Sequence, residues 1–193
     1  MSTSLNSLAV FCGSKSGSDP IYIDQAKKLG VYLAENDIHL VYGGARSGLM
    51  GAIASSCLSQ GGKVTGVMPV SLEKKESIQP GLTELIEVDS LQIRKSKMLS
   101  LSDGFIALPG GSGTLDEVFE VITLSQMGVH KKPSAFLDIN GFYTPLINFL
   151  VKAADQGFIH PDYLDMLIVS SDIQNLIQQM QTFTHPHTRF NPS

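Results

Sequence analysis

Gly104–Glu117 reads GFIALPGGSGTLDE, and the fold turns on how its two halves are read. The first half, Gly104–Leu108, is a short unbroken apolar run, the pattern of a strand buried on both faces. Beyond it Leu115, Val118, Phe119 and Ile122 recur at helical spacing, so a helix is expected over about Leu115–Met127. Pro109–Thr114 (PGGSGT) joins strand to helix without a linker. Glycines let a backbone turn tightly there. The unpaired amides that open a helix, together with its dipole, hold an anion, most often a phosphate. Two common nucleotide-binding patterns do not fit. A Walker-type loop ending in Gly-Lys-Ser/Thr is absent, and the dinucleotide fingerprint would need glycine where Asp116 stands.

The same alternation extends to both sides of this stretch. Leu8–Cys12 (LAVFC) is expected as a first strand, followed by the loop Gly13–Pro20 and a helix from Asp19 to about Glu35. His39–Tyr42 is a second strand, leading through Gly43–Gly48 (GGARSG) into a helix that runs to about Ser59. Lys63–Met68 is a third, stopped by Pro69, and Ser71–Leu82, polar and punctuated by Pro and Gly, is expected as a mobile loop. Glu84–Val88 (strand) and Ser90–Leu101 (helix) precede the quoted stretch. Ser134–Leu137 and Leu167–Val169 (strands), with Thr144–Asp155 and Ile173–Gln181 (helices), follow it. Strands alternating with helices mean a three-layer α/β sandwich with a mostly parallel sheet. Ligands of such sheets bind at the carboxyl ends of the strands. The glycine-rich loops after Cys12, Tyr42 and Leu108 all fall there. Residues 1–183 are expected to form one domain and residues 184–193 a flexible tail.

Composition narrows the function. With 193 residues, 17% charged residues and a net charge of −4, the chain suits a folded domain with no general nucleic-acid or anionic-membrane surface. It carries two cysteines, Cys12 and Cys57, neither in a metal-type pair, and no run of 18 apolar residues. Met1–Asn6 has no charged or apolar leader region, so a reducing, cytoplasmic compartment is expected. No metal site is expected: His185 and His187 have no third ligand nearby.

Three arginines exist, Arg46, Arg94 and Arg189. Arg94, beside Lys95 in the helix that feeds the Gly104 strand, is a candidate for bidentate recognition of phosphate or carboxylate; a solvated helix face is the plainer account. Arg46 reads as either a second anion contact or a surface turn residue. Glu117 also has two readings. Thr114-x-x-Glu117 has the spacing of a capping box, in which the carboxylate returns to the amide of the capping residue. Otherwise Glu117 is free for chemistry near the anion, with Glu120 on the same face. Cys12 reads as a small core residue, and His130-Lys131-Lys132 as the positively charged end of a helix.

Arg94-Lys95 followed by Pro109-Gly110-Gly111-Ser112-Gly113-Thr114-Leu115-Asp116-Glu117 resembles the PGGxGTxxE signature of the Lonely Guy family, the cytokinin riboside 5′-monophosphate phosphoribohydrolases often mislabelled as lysine decarboxylases. VFCGS (Val10–Ser14), LVYGGARSGLMG (Leu40–Gly51), GVMP (Gly66–Pro69), SDGFIA (Ser102–Ala107), MGVHKKP (Met127–Pro133) and GFYTPLINFL (Gly141–Leu150) are similar to family segments as well. The resemblance implies a Rossmann-like fold, a homodimer, and hydrolysis of the N-glycosidic bond of an adenosine 5′-monophosphate with no cofactor. It implies Arg94 and Glu117 as the catalytic pair. Gly110, Gly111, Gly113 and Thr114 match the family's phosphate loop, Lys95, Pro109 and Ser112 would bind the substrate with them, and Gly13, Ser14, Gly43, Gly44 and Met98 would line the nucleotide pocket. Ser112 stands where many members have an aromatic residue, Ala45 where many have a third glycine, and Leu91-Gln92 where many have Met-His. These departures bear on the base pocket and leave Arg94 and Glu117 untouched. A pyridoxal phosphate decarboxylase would need a lysine Schiff base with a partner set that Lys95 and Lys97 do not bring. A non-catalytic nucleotide or cofactor carrier on the same fold is the alternative.

Overall fold

The computed structural model describes residues 4–73 and 77–186. Seven strands form one parallel sheet: β1 (Ser7–Phe11), β2 (His39–Tyr42), β3 (Val64–Pro69), β4 (Glu84–Val88), β5 (Gly104–Ala107), β6 (Ser134–Leu137) and β7 (Leu167–Ser170). Their order across the sheet is β4-β3-β2-β1-β5-β6-β7. The helices are α1 (Ile21–Glu35), α2 (Gly48–Ser59), the single turn α3 (Val70–Glu73), α4 (Leu91–Leu101), α5 (Ser112–Gln126), α6 (Thr144–Asp155) and α7 (Ile173–Thr182). The α/β sandwich read from the sequence is the observed fold.

Alternating side chains send each strand into two cores. Leu8, Val10 and Cys12 face the layer of α1, α2 and α7, with Leu29, Ile53 and Leu176. Ala9 and Phe11 face the layer of α4, α5 and α6, with Met98, Val118 and Ile122. The split follows from handedness. Right-handed crossovers stepping from β1 toward β3 put α1 and α2 on one face, and those stepping from β4 through β5 to β7 put α4, α5 and α6 on the other. The direction reverses between β1 and β5. Phe11 is level with Ala107, and Ala9 with Val41, so the three glycine-rich loops leave the sheet at one height.

Two expectations change. The segment after β3 is not simply a loose loop. It begins with α3, and Ile78 forms an antiparallel bridge with Ala45. The amide of Arg46 donates to Ser77 O and that of Gln79 to Gly44 O, at 2.9 and 3.0 Å, because the loop after β2 otherwise leaves backbone groups unpaired. At the other end of the chain, His185 does not hang free: its Nε2 lies 3.0 Å from Ser125 Oγ on α5. His187 and the rest of the expected tail lie outside the described residues.

Beneath the site, the buried Tyr143 hydroxyl donates to Leu108 O at 2.6 Å, tying the end of β5 to the entry of α6. Tyr143→Phe strands that carbonyl and is expected to lower stability by about 1–2 kcal/mol, read as a lower urea midpoint at unchanged slope.

Candidate active site

The helix after the signature loop begins at Ser112, three residues before the periodicity places it, with Gly111 as its capping residue. Its first intrahelical bond runs from Leu115 N to Gly111 O (3.1 Å), so the amides of Ser112, Gly113 and Thr114 open the helix without intrahelical acceptors. Thr114 is therefore inside the first turn and cannot cap it. The capping-box reading of Glu117 fails on this geometry.

Glu117 is turned instead toward α4, where Arg94 Nη2 meets its Oε1 at 3.1 Å. Both side chains are largely buried, at 13% and 14% exposure. Burial pushes the Glu117 carboxyl above its usual range and Asp116 adds to that, while the Arg94 guanidinium opposes it. Such a carboxylate is poised nearer to neutral pH than a surface one, as a general base requires.

Gly43 explains how Arg94 reaches this place. A Cβ there would sit 2.3 Å from Arg94 Nη2 and 3.1 Å from Met50 Sδ. Gly110 is the second close approach: its Cβ would fall 2.1 Å from Thr114 Oγ1 and 3.0 Å from the amide of Gly13. That amide donates to Pro109 O at 3.0 Å, and Gly13 O accepts from Leu49 N at 3.1 Å, so the β1 loop clamps both the signature loop and the start of α2.

A cleft of about 580 Å³ opens over these loops. Of the residues singled out from the sequence, Gly13, Ser14, Arg94, Lys95, Pro109, Gly110, Gly111, Ser112, Gly113, Thr114 and Glu117 line it. Three do not. Met98 is fully buried in the core: it lies on the same face of α4 as Arg94 but one turn further along, where that face packs on the sheet. Gly43 backs Arg94 from behind, and Gly44 is buried with its carbonyl held by Gln79. Arg46 is exposed, outside the cleft, as a turn residue. The Lys95 ammonium lies against the carboxylates of Asp116 (3.0 Å) and Glu120. Its hydrogen bonds with Glu120 and Asp116 hold it charged beyond its ordinary range, the opposite of what a Schiff-base lysine needs.

Cys12 lines the cleft floor, but burial and the Glu117 charge push its thiol far up, so it stays protonated and inert. Sequence reasoning passed over the apolar wall. Tyr22 and Phe142 meet edge to face, with ring centroids 5.9 Å apart, and Leu49, Met50 and Leu91 continue the lining. Their scattered positions carry no motif; proximity to the loops at the strand ends was the available signal. His130 does not act as a free charge at the end of α5. Its Nε2 contacts Val121 O at 2.9 Å and burial lowers its pKa, while Lys132 donates to Leu99 O at the end of α4 (2.7 Å). Among the described residues, no group of three or more His, Cys, Asp or Glu could hold a metal ion, and no helix is long and apolar enough to cross a membrane.

Residues 50–180 match the family model described as possible lysine decarboxylase. A cytokinin riboside 5′-monophosphate phosphoribohydrolase of Rhodococcoides fascians is 44% identical over 177 residues, spanning 91% of this chain and 89% of that protein. One from Arabidopsis thaliana is 40% identical over 183 residues, 95% of this chain and 86% of the relative. Among solved structures, the molybdenum cofactor binding protein of Rippkaea orientalis superposes with a TM-score of 0.69 at 19% identity, covering 94% of this chain and 98% of that one. The likeness to that carrier is one of fold.

If the amides opening α5 seat an anion, inorganic phosphate binds the protein in calorimetric titration. Gly110→Ala, which forces Thr114 and Gly13 out of place, is expected to weaken that binding at least about tenfold.

Proposed function

The chain belongs to the family of the cytokinin riboside 5′-monophosphate phosphoribohydrolases, and from that premise we propose that it hydrolyses the N-glycosidic bond of adenosine 5′-monophosphate or an N6-substituted relative of it. The products are the free base and ribose 5-phosphate. The observation that carries this reading is the Arg94–Glu117 pair, 3.1 Å apart and one helical turn from the amides that open α5. A turn advances about 5.4 Å, on the scale of the sugar between a 5′-phosphate and its anomeric carbon.

In this mechanism the phosphate sits on the amides of Ser112, Gly113 and Thr114. A Cβ at Gly111 or Gly113 would meet nothing within 4 Å, so the protein's own packing does not demand glycine there and the room serves a ligand. Binding the phosphate fixes the ribose over Glu117. As the bond from the anomeric carbon to the base nitrogen breaks, its electron pair leaves with the base. The sugar carbon becomes cation-like, and the Glu117 carboxylate stabilises that charge and takes a proton from the attacking water. The water oxygen then bonds to the anomeric carbon, and the base nitrogen is protonated on release. Arg94 keeps Glu117 ionised against its burial and presents its remaining N–H donors to the substrate.

The apolar wall of Tyr22, Phe142, Leu49, Met50 and Leu91 suits a purine face. Homodimer formation is supported by α4, which buries only Met98 fully while leaving Leu91 and Ile93 53% and 47% exposed; light scattering at assay concentration should return twice the chain mass. The buried free thiols of Cys12 and Cys57 suit a reducing, cytoplasmic setting.

Incubating the protein with AMP and with an N6-prenyl-AMP, then separating base from nucleotide, tests the reaction. Glu117→Gln should lower kcat by on the order of 10²–10⁴-fold with the fold intact. A carrier would instead bind the nucleotide and leave it whole in both proteins. Removing the 5′-phosphate from the substrate should depress kcat/KM more than any change at N6. Because activity needs ionised Glu117 and burial raises its pKa, turnover should fall with acidification, starting at higher pH than for an ordinary carboxylate.

A further inference from the structure

The first turns of α5 pose an electrostatic problem. Asp116, Glu117 and Glu120 follow directly behind the amides assigned to the phosphate, so an incoming dianion and three carboxylates crowd one helix end. Arg94 answers only one of the three. We propose that Lys95 is a positioning residue for Glu117: its ammonium, inserted between the carboxylates of Asp116 and Glu120 that flank Glu117, offsets their charge so that Glu117 and a phosphate can share the start of α5. The proposal rests on the reading of Glu117 as the catalytic base.

Consecutive residues of α4 divide the work. Arg94 reaches Glu117, and Lys95 reaches Asp116 at 3.0 Å and Glu120 in direct contact, so the two helices are joined by adjacent ion pairs. Lys95 is 15% exposed while Asp116 is 66% exposed. The Lys95 side chain is thus the more enclosed partner of that pair, and it lines the same cleft as Glu117. The groups facing Glu117 are Arg94 and Lys95 from α4, Asp116 and Glu120 from its own helix, and the Cys12 thiol from the end of β1, which remains neutral. Asp116 and Glu120 favour the protonated form of Glu117, as burial does, and Lys95 opposes them. Without Lys95, the negative charges of Asp116 and Glu120 would stand uncompensated on the helix that carries the base. With both nearby carboxylates engaged, the ammonium acts through Glu117 and not as a direct phosphate ligand.

The test is the pH profile of kcat/KM for AMP, from about pH 5 to 9, in the wild type, Lys95→Met, Lys95→Arg and the triple variant Lys95→Met/Asp116→Asn/Glu120→Gln. Lys95→Met should move the acid limb to higher pH, with a deficit at least about fivefold larger at the acid end than at the alkaline end. Lys95→Arg should keep the wild-type limb, and the triple variant should return it to the wild-type position or below. A deficit equal at every pH, or a triple variant without rescue, overturns the proposal and makes Lys95 a substrate contact. A lower melting temperature with an unmoved limb overturns it too, in favour of a structural tie. Should Lys95→Met fail to fold, Asp116→Asn/Glu120→Gln with Lys95 intact must move the limb to lower pH, and no movement refutes the idea. Full activity in Glu117→Gln would remove the catalytic reading itself, a failure distinct from that of Lys95.

Discussion

The amide of Gly13 donates to the carbonyl of Pro109 at 3.0 Å, joining the loop after β1 to the loop after β5. These strands are neighbours in the sheet, but the chain leaves them toward opposite edges, so the crevice between their carboxyl ends is open by topology. The loops approach this closely because Gly110 carries no side chain to hold them apart. It sets where α5 begins, and α5 supplies both the free amides and the Glu117 carboxylate. Leu49 N on Gly13 O brings α2 to the same point, and Met50 with it. The cleft is thus assembled from backbone contacts before any charged side chain is considered.

Charge then decides what the cleft can do. Taking Glu117 out of water is costly, and Arg94 returns part of that cost through a 3.1 Å pair in the same low-dielectric wall. Removing either partner would leave the other buried and uncompensated. The space for the guanidinium exists because residue 43 has no Cβ, so a glycine outside the cleft is as necessary to the pair as the two side chains themselves. Desolvation is the larger influence on Glu117, and the result is a carboxylate whose proton affinity is raised without its ion pair being lost.

The inner strands were legible because burial on both faces leaves apolar runs, and β2 and β6 begin and end where expected, as does the half-exposed edge strand β4 (ELIEV). Helix starts were less legible. Apolar periodicity marks the stripe from Leu115 onward, whereas Ser112 and Gly113 are exposed and the buried Thr114 is polar, so none of the three carries an apolar signal. That difference of three residues decides whether Glu117 caps or faces the cleft. Met98 was misplaced because it shares a face of α4 with Arg94 but lies one turn further along, where the sheet covers that face. The strand-like bridge of Ile78 to Ala45 joins segments more than thirty residues apart, and polarity alone made its sequence look like a free loop.

From its sequence alone, the chain determined the alternation of strands and helices, the parallel sheet and the three glycine loops at one edge, and it offered Arg94, Lys95 and Glu117 as candidates. These are local properties, set by side-chain period and by what glycine permits. Only the tertiary structure decided that Arg94 pairs with Glu117, that Lys95 turns to Asp116 and Glu120, and that Met98 and Gly44 lie beneath the cleft. Such pairings depend on the separation and rotation of two helices packed on a twisted sheet, and no spacing along one helix encodes its angle to another.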